Sequence, residues 1–228
     1  MYEDGTYLAK NPTWHTQDSA WKASKIAKLI EKNSLWPASL CEIGCGAGEV
    51  LNQLSIHLGS SIYFVGYEIS PQAFDLCKDK SSANLLFKFA DLLQEDNAKF
   101  DIVIAIDVFE HVDDYLGFLR KLREKAKYKI FHIPLDLSVQ SVLRSSPILK
   151  HRRTIGHLHY FTKETALATL RDTGYEIVDY FYTAGSLDLP NRGWKADLLK
   201  FPRRLAFRVN ADFAVRVLGG YSLMVLAR

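Results

Sequence analysis

The stretch Glu42-Ile43-Gly44-Cys45-Gly46-Ala47-Gly48-Glu49 follows a short apolar run at 40–43 and leads into the helical pattern Val50-Leu51-Leu54-Leu58. Three glycines at alternate positions between a strand and a helix permit a tight turn, and they let a ligand approach backbone at the helix N-terminus. Such a loop belongs to sheets whose strands are joined by helical crossovers, and the pattern downstream agrees. Apolar runs at 62–67, 85–89, 102–106 and 129–133 alternate with helical patterns such as Ala73-Phe74-Cys77 and Tyr115-Phe118-Leu119-Leu122. Strands of about five residues alternating with helices of about 10–15 predict right-handed βαβ units on a parallel sheet. The runs are apolar on both faces, as a sheet covered by helices on each side requires.

After Pro134 the rhythm changes. The segment 135–162 has few turn signals and carries His151, Arg152, Arg153, His157 and His159. A capped helix then runs from Thr162 through Ala166, Leu167 and Leu170 to Gly174, and 175–183 alternates like a strand. The pattern 198–218 reads as one helix, and Gly219-Gly220 leads into a last strand at 221–227, expected to enter antiparallel. Ahead of the first strand, Trp21, Lys25, Ile26, Leu29 and Ile30 form a helical face with Asp18 or Ser19 as N-cap and Pro37 beyond its end. These elements predict an α/β fold: a doubly wound seven-stranded sheet, mostly parallel with an antiparallel last strand, with helices on both faces. No repeat or linker divides it, so one domain over 1–228 is expected.

The composition excludes several classes. With 48% hydrophobic residues and a net charge of +3, the 228-residue chain is not disordered. Three cysteines (Cys41, Cys45, Cys77) make no disulfide framework. No run approaches the roughly 20 apolar residues of a membrane span, and the first residues lack a signal-peptide pattern, so a cytoplasmic protein is expected. The net charge hides an asymmetry. From Arg144 onward there are 14 Lys and Arg against 7 Asp and Glu, while the part before it has 15 against 19. An acidic front and a basic back suggest different ligands, with chance as the alternative.

A dinucleotide fingerprint would place glycine where Glu49 stands, and both Glu49 and Glu42 would repel a pyrophosphate. The loop suits a cationic or zwitterionic ligand better. Acids also close the next strands: Glu68 about 20 residues past the glycines, where a carboxylate can hold a ribose diol, then Asp91 and Asp107. Any one of them could be a helix cap. Four in register at the carboxyl ends of strands point instead to one ligand crevice.

On these residues the segment 40–112 resembles the cofactor half of class I S-adenosylmethionine-dependent methyltransferases of the small-molecule type. The resemblance continues through Gly156-His157-Leu158-His159-Tyr160-Phe161-Thr162 to about residue 183. It implies a Rossmann-like sheet and S-adenosyl-L-methionine as cofactor. Glu42 and the loop Gly44, Cys45, Gly46 and Gly48 would hold its methionine part. Glu68 would take the ribose, with Ile69 against the adenine, and Asp91 the adenine amine with Leu92 beside it. Asp107 and Phe109 would lie near the sulfonium, a cation that carboxylates and aromatic faces attract. Outside the resemblance, the aromatics Tyr7, Trp14 and Trp21 and the length of the segment before the first strand suggest a lid at 1–38, ahead of a cofactor half at 39–134 and an acceptor half at 135–228.

Methyl transfer needs in-line positioning above all, and a base only for weakly acidic acceptors. His111, His132, His157 and His159 are the candidates for base or acceptor positioning, although a structural hydrogen bond is the commoner role for any one. Asp107, Glu110 and His111 have metal-ligand chemistry at i, i+3 and i+4, and resemble the acidic-His cluster of quinone-biosynthesis O-methyltransferases. Asp at the first position departs from that pattern, and His157 with His159 lacks a third zinc ligand, so no metal is expected. Arg144, Lys150, Arg152 and Arg153 suggest an anionic small-molecule acceptor, or else a solvated loop. The 198–218 helix, with Arg204, Arg208, Asp212 and Arg216 spaced by four, is read as packed on the sheet in preference to a membrane. The expected activity is methyl transfer to O or N of a small anionic molecule. The alternatives are a membrane-associated lipid or quinone O-methyltransferase, a nucleic-acid methyltransferase, or a non-catalytic binder of the cofactor. Nucleic acid is disfavoured by Asp113 and Asp114 beside the site.

Overall fold

A computed structural model describes residues 6–14, 16–189 and 194–228. The chain opens with α1 (Thr6–Lys10) and α2 (Ser19–Lys32), then alternates β1 (Ser39–Ile43), α3 (Glu49–Leu58), β2 (Tyr63–Glu68), α4 (Pro71–Cys77) and β3 (Leu85–Phe89). It continues through β4 (Phe100–Ile106), α5 (Tyr115–Leu122) and β5 (Ala126–Pro134). Two short helices follow, α6 (Val139–Arg144) and α7 (Ser146–Thr154), then α8 (Lys163–Asp172) and β6 (Ile177–Thr183). The last elements are α9 (Gly185–Asp188), α10 (Trp194–Val209), α11 (Ala211–Leu218) and β7 (Ser222–Ala227). The sheet order is β3-β2-β1-β4-β5-β7-β6, with β7 antiparallel to both neighbours. Successive strands leave β1 in one direction and β4 in the other, so the crevice expected of an open α/β sheet lies at their carboxyl ends.

The strands divide their side chains between two cores with a period of two. Along β4, Ile102, Ile104 and Ile106 face the core beneath α2 and α3, whereas Val103 and Ala105 face the core beneath α5 and α8. β7 repeats the division with Met224 and Leu226 against Leu223 and Val225. Leu29, Leu51 and Leu54 fill the first core, and Leu119, Leu122 and Leu170 the second, all fully buried. Each such side chain is worth about 1.5–3 kcal/mol of transfer free energy. The near-continuous apolar strands noted in the sequence are therefore two interleaved half-patterns.

Two segments differ from expectation. The stretch after β5 is not loop but α6 and α7. Ser138 and Ser141 form a reciprocal cap on the first, and Ser145, at φ +55°, turns the chain into Pro147 of the second. The single helix read over 198–218 is two helices. Asn210 takes an extended conformation, and its side chain accepts from the amide of Phe213 at 2.9 Å, which stops α10 and caps α11.

Candidate active site

A cavity of about 800 Å³ opens at the carboxyl ends of β1, β2, β4 and β5, a size usual for small-molecule sites. Its floor is the glycine loop. Gly44 and Gly46 sit at φ +67° and +55°, where a side chain would be strained. The amides of Gly44 and Cys45 both donate to the carbonyl of Tyr67, at 2.9 and 3.0 Å, which ties the loop to the end of β2. The Gly46 amide donates to Oε2 of Glu68 at 2.7 Å, and Oε1 accepts from the amides of Ile69 and Ser70. An internal carboxylate thus occupies the amide that a phosphate would use. Burial raises the pKa of Glu68, and these three backbone donors oppose the rise.

Glu42 lies beside it, 2% exposed, with Oε2 unpartnered among the described residues. Burial pushes its pKa well above the usual carboxylate range. Glu49 differs. Lys80 reaches it at 2.9 Å and Gln53 at 2.8 Å, and these contacts outweigh its partial burial and lower its pKa. Its charge is neutralised locally by Lys80, so Glu49 does not itself bar an anion from the loop.

The middle of the cavity is built around Asp107, at the end of β4, with the unusual φ of +55°. His132 Nδ1 lies 2.6 Å from its Oδ1, and Lys22 of α2 lies 2.9 Å from its Oδ2. Lys22 also pairs with Asp18 at 3.1 Å. Burial pushes the Asp107 carboxyl up, but His132 and Lys22 together hold it far below the usual range. The other ring nitrogen of His132 meets Thr183 Oγ1 at 2.8 Å. His132 is buried with both nitrogens bonded to protein, so it has no nitrogen left for an acceptor.

Toward β5 and α7 lies a histidine network. Asp136 accepts from Nδ1 of His157 at 2.5 Å and from Nδ1 of His151 at 2.9 Å. Despite its burial, those two contacts bring the Asp136 pKa down to about 2. His111 donates Nδ1–H to the carbonyl of Gly156 at 3.0 Å, which makes Nε2 the lone-pair nitrogen of the neutral ring. Burial and the neighbouring His157 lower its pKa to about 4. Glu110 underlies this group, fully buried, with neither carboxylate oxygen hydrogen-bonded among the described residues and Oε1 3.9 Å from His111 Nε2. Ligand-type atoms of Glu110, His111 and His157 lie within 4.8 Å of one another, as do those of Asp136, His151 and His157. Either set could bridge a proton or hold a divalent cation. Asp107 belongs to neither, since Lys22 and His132 take its oxygens.

The cavity wall brings together Glu42, Gly44, Cys45, Gly46, Glu68, Ile69, Asp107, His111, His132 and His157. The remaining candidates lie off it. Gly48 makes room for Phe87 and Cys77, which a Cβ there would meet at 2.6 and 2.7 Å. Asp91 caps a short turn through the Leu93 amide, and Leu92 is core. Phe109 is fully buried among Tyr115, Phe131 and Phe161, and its neighbour Val108 faces the cavity. His159 bonds the Val112 carbonyl and packs tilted against Tyr115, off the wall that carries His157. Of the four basic residues after β5, Arg144 alone lies on the wall, where Lys200 and Arg203 of α10 join it.

Sequence reasoning missed Lys22, Asp136 and the contact of Trp14 with the loop. Asp136 repeats the signal of an acid just past a strand, and Lys22 lies one turn after Asp18. Tyr7, Trp14 and Trp21 all line the cavity, and a Cβ on Gly46 would lie 2.7 Å from the Trp14 indole.

A family model described as a methyltransferase domain matches residues 14–180. The ubiquinone biosynthesis O-methyltransferase of Cereibacter sphaeroides is 31% identical over an alignment of 113 positions that covers 47% of this chain and 42% of that protein. The chain therefore spans under half the length of this curated relative. Among solved structures, the magnesium protoporphyrin IX methyltransferase of Synechocystis PCC 6803 with bound SAH aligns at TM-score 0.61 and 17% identity, covering 91% of this chain and 82% of that one. An N-methyltransferase of Bradyrhizobium japonicum WM9, also with S-adenosyl-l-homocysteine, aligns at TM-score 0.59 and 15% identity over 99% and 98% of the two chains. These likenesses carry the fold.

Proposed function

The chain belongs to the methyltransferase domain family, and on that premise we propose that it moves a methyl group from S-adenosylmethionine to an oxygen or nitrogen of a small acceptor bearing an anionic group. One observation carries this: the cavity sets carboxylates on its β1–β2 wall and cations and histidines on the β5–α10 wall. Glu42 and Glu68 suit a cationic, diol-bearing ligand. Glu42 keeps an unpartnered buried oxygen, and Glu68 Oε2 has one backbone donor, which leaves a lone pair for a hydroxyl. The backbone of Gly44 and Gly46, bare of side chains, allows close approach. When bound, the cofactor supplies a methyl group on a sulfonium whose leaving group is a neutral thioether.

The protein's own residues do the remaining work. Asp107, held ionised by His132 and Lys22, fixes the position of both partners at the midpoint of the cavity. His111 presents Nε2 as the proton acceptor for the acceptor's hydroxyl or amine, and Asp136 orients His157 and His151 beside it. Arg144, Lys200 and Arg203 lie where they would hold an anionic substituent. Tyr7, Trp14 and Trp21 close the cofactor side as a lid, so that 1–38, 39–134 and 135–228 act as lid, cofactor half and acceptor half.

The test is calorimetric binding of S-adenosylmethionine to the wild type, Glu68→Ala and Gly46→Val, followed by methyl-label transfer to a small-molecule extract. Binding lost in both variants, and label in an acidic product, support the proposal. Equal affinity in all three proteins overturns the cofactor assignment, and label confined to neutral or cationic products overturns the acceptor class.

A further inference from the structure

The helix pair α10–α11 carries a feature that the cavity does not use. Phe201, Leu205 and Val209 recur every four residues on α10, and Phe213 of α11 extends the spacing across the break at Asn210. All four are exposed, Phe201 by 75% and Val209 by 80%. The opposite face of α10 is committed to the protein. There Arg203 bonds the Gly219 carbonyl and Phe207 stacks on Tyr221. The stripe thus points outward on a helix already anchored by its other side, and it presents on the order of 400 Å² of apolar surface, the scale at which a patch on a monomer is usually functional.

Charge says what covers it. The segments 139–154 and 194–218, which both contribute to the cavity wall, contain 10 Lys and Arg against 2 Asp, while the remaining residues carry 19 basic and 24 acidic. The whole basic excess of the protein is concentrated in these four helices. Arg208 is exposed beside the stripe, Arg204 and Arg216 are exposed there too although each spends a contact on the Leu187 carbonyl or on Glu164, and Arg144, Lys150 and Arg152 are exposed on α6 and α7, where Leu143 is 81% exposed. Apolar side chains flanked by cations on an amphipathic helix match a surface that is anionic outside and apolar beneath. No described helix is long and apolar enough to cross a membrane.

We propose that the α10–α11 face docks on an anionic phospholipid bilayer, with Phe201, Leu205, Val209 and Phe213 seated below the headgroups and the arginines among them. The cavity lined by Lys200 and Arg203 then opens beside the lipid surface. This docking is independent of the methyl acceptor, so its failure leaves the cofactor assignment untouched.

The experiment is co-sedimentation of the full chain with phosphatidylcholine vesicles and with phosphatidylcholine–phosphatidylglycerol vesicles, at about 0.1 M and about 1 M salt. The expected result is binding to the anionic vesicles at low salt, little to the neutral ones, and a loss of about tenfold or more in Phe201→Ser/Val209→Ser. A second variant, Arg208→Glu, reports the electrostatic part. Both replace exposed side chains, and unchanged circular dichroism and cofactor binding verify their fold. Three outcomes overturn the proposal: no vesicle binding by the wild type, equal binding by wild type and the double variant, or a stripe-dependent dimer in light scattering without vesicle binding.

Discussion

The two walls of the cavity are built differently. On the β1–β2 wall the polar contacts are mostly backbone to carboxylate and local in sequence: Gly46 to Glu68 spans 22 residues, and Ile69 and Ser70 are Glu68's own neighbours. On the β4–β5 wall they join side chains from distant segments, with His132 bonding Thr183 51 residues away and His111 bonding Gly156 45 residues away. Lys22 comes from the helix that precedes the sheet. A wall made from one strand–loop–helix unit holds a ligand common to many chains. A wall assembled from several segments can change its chemistry one residue at a time while the first stays fixed.

The sharpest test of this contrast is the pair Gly46→Val and Asp136→Asn. At φ +55°, with the Trp14 indole 2.7 Å from the added Cβ, valine is both strained and obstructed. Cofactor affinity should fall by at least about 100-fold in calorimetry. Asp136→Asn weakens the acceptors of two imidazole N–H groups without touching the loop. It should lower kcat by roughly 10²-fold while cofactor Kd stays within about twofold. If Asp136→Asn weakened the cofactor as much as Gly46→Val does, the two walls would not be separable.

The same contrast explains what was legible in the sequence. Gly44, Gly46 and Glu68 could be read because their roles follow from backbone geometry at fixed spacing after a strand. Phe109 could not. An aromatic next to a strand-end acid reads equally as a cavity wall or as core, and the short turn after β4 sends Phe109 into the α5–α8 core and leaves Val108 at the cavity. Asp107 was found by position, but its partners were not, since nothing in the local pattern says that Lys22 and His132 converge on it. Likewise His132 and His157 look alike as isolated histidines. Only the fold shows one with both nitrogens taken, by Asp107 and Thr183, and the other bonded through Nδ1 to Asp136 beside His111. The helical period over 198–218 was clear, whereas the side-chain cap by Asn210 that divides it is a single-residue signal.

The histidine wall also predicts how stability responds to acid. His111 has a pKa near 4 against an ordinary 6.5, set by burial and by His157. Between those values the unfolded chain binds a proton that the folded one does not, so stability falls as pH drops from about 6.5 through about 4. The expected loss is on the order of 2–3 kcal/mol over that range. In denaturant titrations at successive pH values, His111→Asn should lack this part of the decline, because its amide can still donate to Gly156 without titrating. Parallel curves for the two proteins would show that His111 is charged, or already exposed, in the folded state.

The smallest expected effect concerns the lid, which lies against the local wall although its own residues come from far along the chain. Trp14 covers the Gly46 turn and contacts Tyr7 with ring centroids 4.7 Å apart. A ligand that reaches the Gly46 backbone has to displace this indole, so the aromatic pair resists both arrival and departure. Trp14→Ala should speed cofactor association, but it should speed dissociation more, because the closed lid also covers the bound ligand. The net result is a Kd raised by only about three- to fivefold, with both rate constants larger in stopped-flow measurements. An association rate that rises with dissociation unchanged would instead make the indole an obstacle, and the first turn of the chain would then restrain the cofactor wall without completing it.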